Sequence, residues 1–489
     1  MKNSFIDDIT WNDFSLDLIE EKINTCKTSA GDYYINYRLR HPVKEKGDKF
    51  TEYIDAFKEN DNIIKILSDI SRLKKYEFND CLSELEKKKK ESNIIHYFCI
   101  ILVIITFSII FISPGFGFLS FFIALFISLQ IYFGNRKNIA KEIYVFSYII
   151  KLIKAAKKLS KEQIINGCLQ EEGTALKRIY EHFKPFMAGC FLLPKGISTS
   201  GNIVDIALDY LRMIFHLDII KYNGMVEHIK INMSEVKELF EIIGIIDALI
   251  SVKNYRESLE YYCKPEFTSD ICIVLNDAYH PLLNNPVVNS IDTSRNVLLT
   301  GSNASGKSTF LKMVGINAIV AQSFGFAYAT KYVAPFFDIY SSMALKDDIT
   351  NGESYFMAEI RSLKRIADAC ESEETVLCII DEVLRGTNTV ERIAASSEIL
   401  NKICGNNNLL FVATHDIELT SLLEDNYDNY HFTEEITDGD VKFSYKIYNG
   451  KATTRNAIKL LNLIGFKEEY IKAAELKAEK FINNGIWRN

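Results

Sequence analysis

Gly301-Ser302-Asn303-Ala304-Ser305-Gly306-Lys307-Ser308-Thr309 follows the apolar run Val297-Leu298-Leu299-Thr300 and opens a helix-compatible stretch, Phe310 to Val320. A buried strand, a glycine loop and a helix start, in that order, are the context in which a G-x-x-x-x-G-K-[ST] loop holds phosphate. Gly301 and Gly306 permit backbone angles that a Cβ forbids, so successive N–H groups converge on phosphate oxygens. The helix behind the loop adds the positive end of its dipole. Lys307 brings a mobile charge to the β/γ-phosphates, and Ser308 offers a hydroxyl to Mg²⁺. A glycine turn that happens to precede a lysine is the bland alternative, and it explains neither the strand nor the helix. The pattern implies a nucleoside triphosphate bound along Gly301 to Thr309.

Two more strand ends follow in order. VLCIIDE (376–382) is an apolar, β-rich run ending in two carboxylates, as a buried parallel strand does when it delivers acids to its C-terminal edge. Asp381 is placed to hold the metal shell, and Glu382 to orient or deprotonate the attacking water. LLFVATH (409–415) ends in His415, whose imidazole is suited to hydrogen-bond a γ-phosphate. Each site alone is weak, because an acidic pair or a terminal histidine is more often a solvated loop. Their order after the glycine loop gives them weight.

The surrounding words carry a resemblance. TGSNASGKSTF (300–310), AQSFGFAYA (321–329), DDITNGESYFMAEI (347–360), IIDEVLRGTNTVE (379–391) and FVATHDIELT (411–420) together resemble the ATPase domain of MutS mismatch-repair proteins. AYHPLL (278–283) is similar to that family's segment before the first ATPase strand, and the likeness runs over roughly 267–480. A fainter likeness to the start of the family's lever domain lies at TCKTSAGDYYINYRLRHPV (25–43), and to its end at Phe240 to Phe267. The resemblance implies an α/β P-loop ATPase domain beside an all-α lever or core region. It also implies Mg²⁺-dependent ATP hydrolysis in a homodimer whose composite sites each receive Ser354 from the partner subunit.

The sequence departs from that family in places. The motif that reaches across the dimer usually reads Ser-Thr; here it is Ser354-Tyr355, preceded by Glu353. The family's Ser-Tyr-Gly near the C-terminal helices is replaced by Thr454-Arg455-Asn456. On this reading the mismatch-reading and connector domains are missing. Phe57-Lys58-Glu59 and Phe466-Lys467-Glu468 match the family's wedge tripeptide, but both lie in charged, helix-patterned sequence and neither is read as a wedge.

Ile94 to Ile112 and Phe116 to Phe133 carry no formal charge, and Ser113-Pro114-Gly115 separates them as a turn. As helices each would span roughly 27–28 Å, close to the hydrocarbon thickness of a bilayer. Lys87 to Lys90 precede the first run and Arg136-Lys137 follow the second, which places both termini on the cytoplasmic side. The bland alternative, a buried helical pair in a soluble core, fits poorly with two runs uncharged on every face. Asp7, Asp8 and Asp13 stand where a signal sequence would be basic. His96 and Gln130 read as interfacial polar exceptions.

The chain has 489 residues, 48% of them hydrophobic, with a net charge of −7. That length allows more than one domain, and the charge gives no whole-chain attraction to DNA. The 10 cysteines contain no C-x-x-C, so a zinc cluster or disulfide framework is not indicated, and reduced thiols fit. We therefore expect a helical, lever-like segment over 1–93, a transmembrane hairpin over 94–134, a helical lever-like region over 135–266 and the ATPase over 267–489. The hairpin would anchor the chain in the cytoplasmic membrane, in contact with lipid, with the ATPase facing the cytoplasm. Two functions fit: a membrane-tethered ATPase that still acts on DNA, or an ATP-switched membrane or protein-interaction machine that no longer reads mismatches. A transporter ATPase is disfavoured, because no LSGGQ-like signature is present.

Overall fold

The structure is a computed structural model that describes residues 3–57, 60–70, 72–73, 78–87, 92–190, 203–302, 305–343, 355–405, 407–437, 440–452 and 466–484. It falls into two units. One gathers Met1–Ile23, Asn36–Thr51 and Asn254–Asn489; the other gathers Asn24–Ile35 and Glu52–Lys253.

The first unit holds all ten described strands: β1 (Glu266–Phe267), β2 (Ile273–Ala278), β3 (Asn289–Thr293), β4 (Asn296–Thr300), β5 (Lys331–Ala334), β6 (Asp338–Ser342), β7 (Val376–Asp381), β8 (Asn408–Ala413), β9 (Tyr427–Thr437) and β10 (Asp440–Asn449). A six-stranded sheet runs β10-β9-β4-β8-β7-β6, and a four-stranded sheet runs β1-β5-β2-β3. In the larger sheet every pairing is parallel except β10 with β9. β4, β7 and β8 are buried at every position, as central parallel strands covered on both faces must be. Their continuous Val, Leu and Ile runs follow from that burial.

The helix Lys307–Phe324 packs on this sheet and is buried along almost all of its length. Gly315 on it lies against Phe14, and a Cβ there would come within 2.3 Å of the phenyl ring. The helix ends at Gly325, in the left-handed region at φ +68°. Arg38 caps this end: its Nε donates to the Ser323 carbonyl at 2.9 Å, while its guanidinium pairs with Asp48 at 2.6 Å. A cation at a helix C-terminus also opposes the dipole's negative end. The N-terminal residues finish the sheet edge. Asp13 accepts hydrogen bonds from Ser341 Oγ (2.7 Å) and Met343 N (3.0 Å) just past β6. Burial pushes the Asp13 carboxyl above its usual range.

The second unit is helical throughout its described residues. A close crossing joins the first turn of Ser29–Arg40 to Met233–Ser258. A Cβ on Gly244 would meet the Ala30 carbonyl at 2.7 Å, and one on Gly31 would meet Asp247 Oδ2 at 2.5 Å. Only glycine allows that approach. Asp247 uses it to cap the helix start, accepting from Thr28 N (2.7 Å), Thr28 Oγ1 (2.6 Å) and Lys27 N (3.0 Å). Thr28 Oγ1 in turn accepts from Gly31 N at 3.0 Å, so the buried carboxylate holds the residue that caps the helix.

The two apolar runs form a helical hairpin, and its limits differ from the expectation. The first helix is Ile94–Ile109, not Ile94 to Ile112, because the chain uses its last apolar residues to reverse. Ile112 N and Ser113 N both bond back to the Ile109 carbonyl, and Pro114 opens the return helix. The return helix does not stop near Phe133 but runs unbroken over Pro114–Leu159. Among the described residues only Pro114–Lys137 is long and apolar enough to cross a membrane; Ile94–Ile109 is apolar but shorter. His96 is not exposed at the hairpin surface. It is buried, with its Nδ1 2.8 Å from Nδ1 of His216, whose Nε2 lies 3.0 Å from Ser128 Oγ. One turn on, Tyr132 donates to Asp218 at 2.9 Å. This polar cluster ties both hairpin helices to the start of Leu217–Ile231.

Asp247→Ala is expected to destabilise the second unit by about 2–3 kcal/mol, since it strands buried donors rather than removing a matched pair. Urea denaturation of the full chain in detergent, followed by far-UV circular dichroism, measures it. An unchanged midpoint would show that water replaces the cap.

Candidate functional site

The site forms where β4, β7 and β8 end together. Register sets this: Leu299 and Asp381 both pair with Ala413, so the residues that follow emerge side by side. Gly301 (φ +144°) and Gly306 (φ +111°) adopt angles that disfavour any side chain, which is why the loop needs glycine at both positions. A Cβ at Gly301 would also meet the Phe432 carbonyl at 3.0 Å. Ser305 is fully buried, and its Oγ has no hydrogen-bond partner. Ser308 and Thr309 are exposed at the helix start. Asn303 and Ala304 lie outside the described residues.

Lys307 opens the helix and bends back over its own loop. Its Nζ donates to the Gly301 carbonyl (2.8 Å) and the Ser302 carbonyl (2.9 Å). Burial pushes its ammonium down to about 8, against the attraction of Asp381, Glu382 and Glu434. Glu434 also accepts from Ser302 Oγ at 2.7 Å, which fixes the loop to β9.

At the end of β7, Glu382 and Leu384 both have positive φ, +67° and +56°. Such angles in non-glycine residues cost on the order of 1 kcal/mol each and survive only where neighbours hold them. The neighbours are specific. His415 Nε2 stands 2.7 Å from Glu382 Oε1, and Arg385 Nε stands 2.8 Å from Glu382 Oε2. The His415 hydrogen bond, helped by the Arg385 charge, holds the Glu382 carboxyl below its usual range, so it is ionised. Arg385 Nη2 donates to the Asp381 carbonyl at 2.6 Å, and Arg385 N donates to the buried Glu359 at 3.0 Å. Arg392 grips Asp416 with two bonds, 2.8 and 2.6 Å, and so steadies the turn that carries His415.

The structure thus gathers Lys307, Asp381, Glu382 and His415 at one sheet edge. Ser354 lies outside the described residues. An exposed hydroxyl at Ser308, a carboxylate at Asp381 and an orphaned buried hydroxyl at Ser305 make a hard-oxygen set of the kind Mg²⁺ takes alongside phosphate. Sequence reasoning missed Arg385, Glu359, Asp416 and Glu434. The first three sit inside or beside the quoted motifs, so a search for charges to steady Glu382 and His415 would have reached them. It also missed a cavity of about 350 Å³ beside Gly306 and Thr309, with walls that include His280, Leu283, Val287, Asn289, Phe310 and Tyr445. That volume lies within the usual range of small-molecule sites. Burial pushes His280 down to about 4, which keeps its ring neutral. Asn289 closes one side, donating to the Tyr445 carbonyl at 3.0 Å and accepting from Ile447 N at 2.9 Å.

Residues 297–482 match the family model for MutS domain V. Over that stretch the chain is similar to MutS proteins. A DNA mismatch repair protein MutS of Thermotoga maritima is 30% identical over 278 residues, covering 54% of this chain and 34% of that relative. The MutS of Clostridium kluyveri is 30% identical over 275 residues, with 52% and 31% covered. That of Pseudothermotoga lettingae is 32% identical over 252 residues, with 48% and 30% covered. The chain therefore spans about a third of the length of these MutS relatives.

A polyphosphate favours the charged form of Lys307. Its ammonium titrates near 8 in the free site, so affinity for a nucleoside triphosphate is full below that pH and falls as pH rises through it. We expect up to about ten-fold weaker binding per unit above the transition. Titration of a fluorescent ATP analogue between about pH 7 and 9 measures it, and a flat profile would contradict the role of Lys307.

Proposed function

We propose that this protein is a membrane-anchored MutS-type ATPase that binds and hydrolyses ATP with Mg²⁺ and works as a homodimer. The observation that carries the ATPase reading is Glu382, held ionised between His415 and Arg385 at the edge that also bears Lys307. ATP would lie along Gly301–Thr309 with its base in the adjoining cavity. Lys307 leaves the Gly301 and Ser302 carbonyls for the β/γ-phosphates. Ser308 and Asp381 would hold Mg²⁺, which neutralises charge on the transferring phosphoryl group when bound. Glu382 orients water in line with the γ-phosphate and accepts its proton, while His415 fixes the carboxylate and senses the phosphate. Ser354 from the partner subunit completes each site in this reading. Closing two such sites against one another is the ATP-driven switch.

The anchor reading is supported by exposure. Only 22% of the apolar stretch within Pro114–Lys137 is buried, where a soluble core helix would be mostly covered. Phe116, Leu119, Phe122, Ile123 and Phe126 are exposed on the return helix, and Phe98, Ile101 and Ile105 on its partner. Lipid is the medium that satisfies such a surface, with the ATPase on the cytoplasmic side. The family and its mismatch-repair relatives favour DNA as a further partner. The apolar hairpin favours the second reading, an ATP-switched membrane or protein-interaction machine that no longer recognises mismatches. Stronger retardation of mismatched over matched duplex DNA by the purified protein, at a stated salt concentration, selects the first.

Glu382→Gln is expected to retain ATP binding and lose hydrolysis by at least about 100-fold, the scale of a lost general base. Hydrolysis at the wild-type rate would overturn its role. Alkaline extraction of cell membranes should leave the protein in the pellet, and a wholly soluble protein would overturn the anchor.

A further inference from the structure

The sulfurs of Cys370 and Cys378 are 3.3 Å apart, and the mechanism above uses neither. Cys378 is fully buried in the middle of β7, the strand that ends at Asp381. Cys370 is the last residue of the helix Tyr355–Cys370 and is partly exposed. We propose that these two thiols are a modification site: a peroxide-sensitive dithiol that closes to a disulfide and acts as a reversible brake on the ATPase. The dithiol stands on geometry alone; the brake rests on the ATPase reading.

A disulfide needs a sulfur separation of about 2.05 Å, so each sulfur must move by less than about 1 Å. Rotation at Cys370, the last residue of a helix, supplies that more readily than any shift of β7. The pair is asymmetric in the useful sense. Cys370 is open to a small oxidant, and the hydrogen bond from Cys378 lowers its pKa, which favours the thiolate. Cys378 is sheltered and resolves the product. Cytosolic disulfides, where they occur, are mostly transient and regulatory, and this one would join a helix end to a buried strand rather than staple a framework.

The chemistry balances with hydrogen peroxide as oxidant. The Cys370 thiolate attacks one peroxide oxygen, the O–O bond breaks, and hydroxide leaves and is protonated to water. The resulting Cys370 sulfenic acid is attacked at sulfur by Cys378; the S–O bond breaks and a second water leaves with the Cys378 proton. Two thiols lose two electrons, and one peroxide becomes two waters.

The brake follows from what the helix Tyr355–Cys370 holds. Its Glu359 accepts the Arg385 backbone N–H, and Arg385 grips the Glu382 carboxylate. Its first residue directly follows Ser354. Tying its far end to β7 restrains the element that must adjust when nucleotide draws on Glu382 and Ser354. Cys404 is the competing thiol, because it lies near the same Tyr427 ring as Cys370 and Cys378.

The test treats the purified full chain with hydrogen peroxide, caps free thiols with N-ethylmaleimide and maps peptides by mass. We expect a cross-linked Cys370–Cys378 peptide pair lighter by two hydrogens and uncapped, with loss of more than half the ATPase rate, both reversed by dithiothreitol. Cys370→Ser and Cys378→Ala should each abolish the cross-link and the peroxide sensitivity, while Cys404→Ser keeps both. Free thiols after treatment, a link to Cys404, or a sulfinic acid at Cys370 without a link would overturn the dithiol. A cross-link with an unchanged rate would overturn the brake. Protein that hydrolyses no ATP even when reduced refutes the ATPase reading, and the brake with it, while the peptide masses still decide the dithiol.

Discussion

The site depends on strand register before it depends on any catalytic group. β4 pairs with β8, and β8 with β7, in parallel, with Leu299 and Asp381 both opposite Ala413. A slip of one residue in either pairing would exchange the two packed faces of a strand and separate Glu382 from His415. Packing on both faces of all three strands enforces the register, because a slip would exchange the side chains that meet the two covering layers. The helix Lys307–Phe324, closed at its far end by Arg38, fixes the glycine loop against that edge.

Onto this rigid edge the chain places a strained turn. Glu382 and Leu384 sit at positive φ without being glycine. The strain is sustained by contacts that converge from separate stretches: His415 after β8, Arg385 after β7 and Glu359 on the helix before β7. Each is charged or polar and only partly solvated, so their mutual attractions are less screened than surface pairs. The carboxylate is held by its surroundings from two sides, and its orientation is settled before any ligand arrives.

The glycine loop, the acidic strand end and the histidine strand end were legible because each is a short local word whose chemistry forces its neighbours. Their convergence was legible because consecutive buried runs imply a parallel sheet. The cavity beside Gly306 was not, because Tyr445 arrives from a bulge in β10 and His280 from before β3, and no local spacing links them. The hairpin was legible as two uncharged runs, but its edges were not. Helical periodicity does not stop where hydrophobicity does, and Gly134 alone does not break a helix, so Pro114–Leu159 continues through it. The burial of His96 depended on His216, far away in sequence and held by a left-handed backbone angle that no pattern announces.

Lys307 has a consequence for selectivity. With its ammonium on the Gly301 and Ser302 carbonyls, the loop competes with its own ligand for the Lys307 charge. Any anion that enters must break both contacts. A small anion such as free phosphate gains only the charge in return, whereas a ligand that also fills the neighbouring cavity gains apolar contact with Leu283, Val287 and Tyr445. Binding along the loop would therefore discriminate by size and composition as well as by charge.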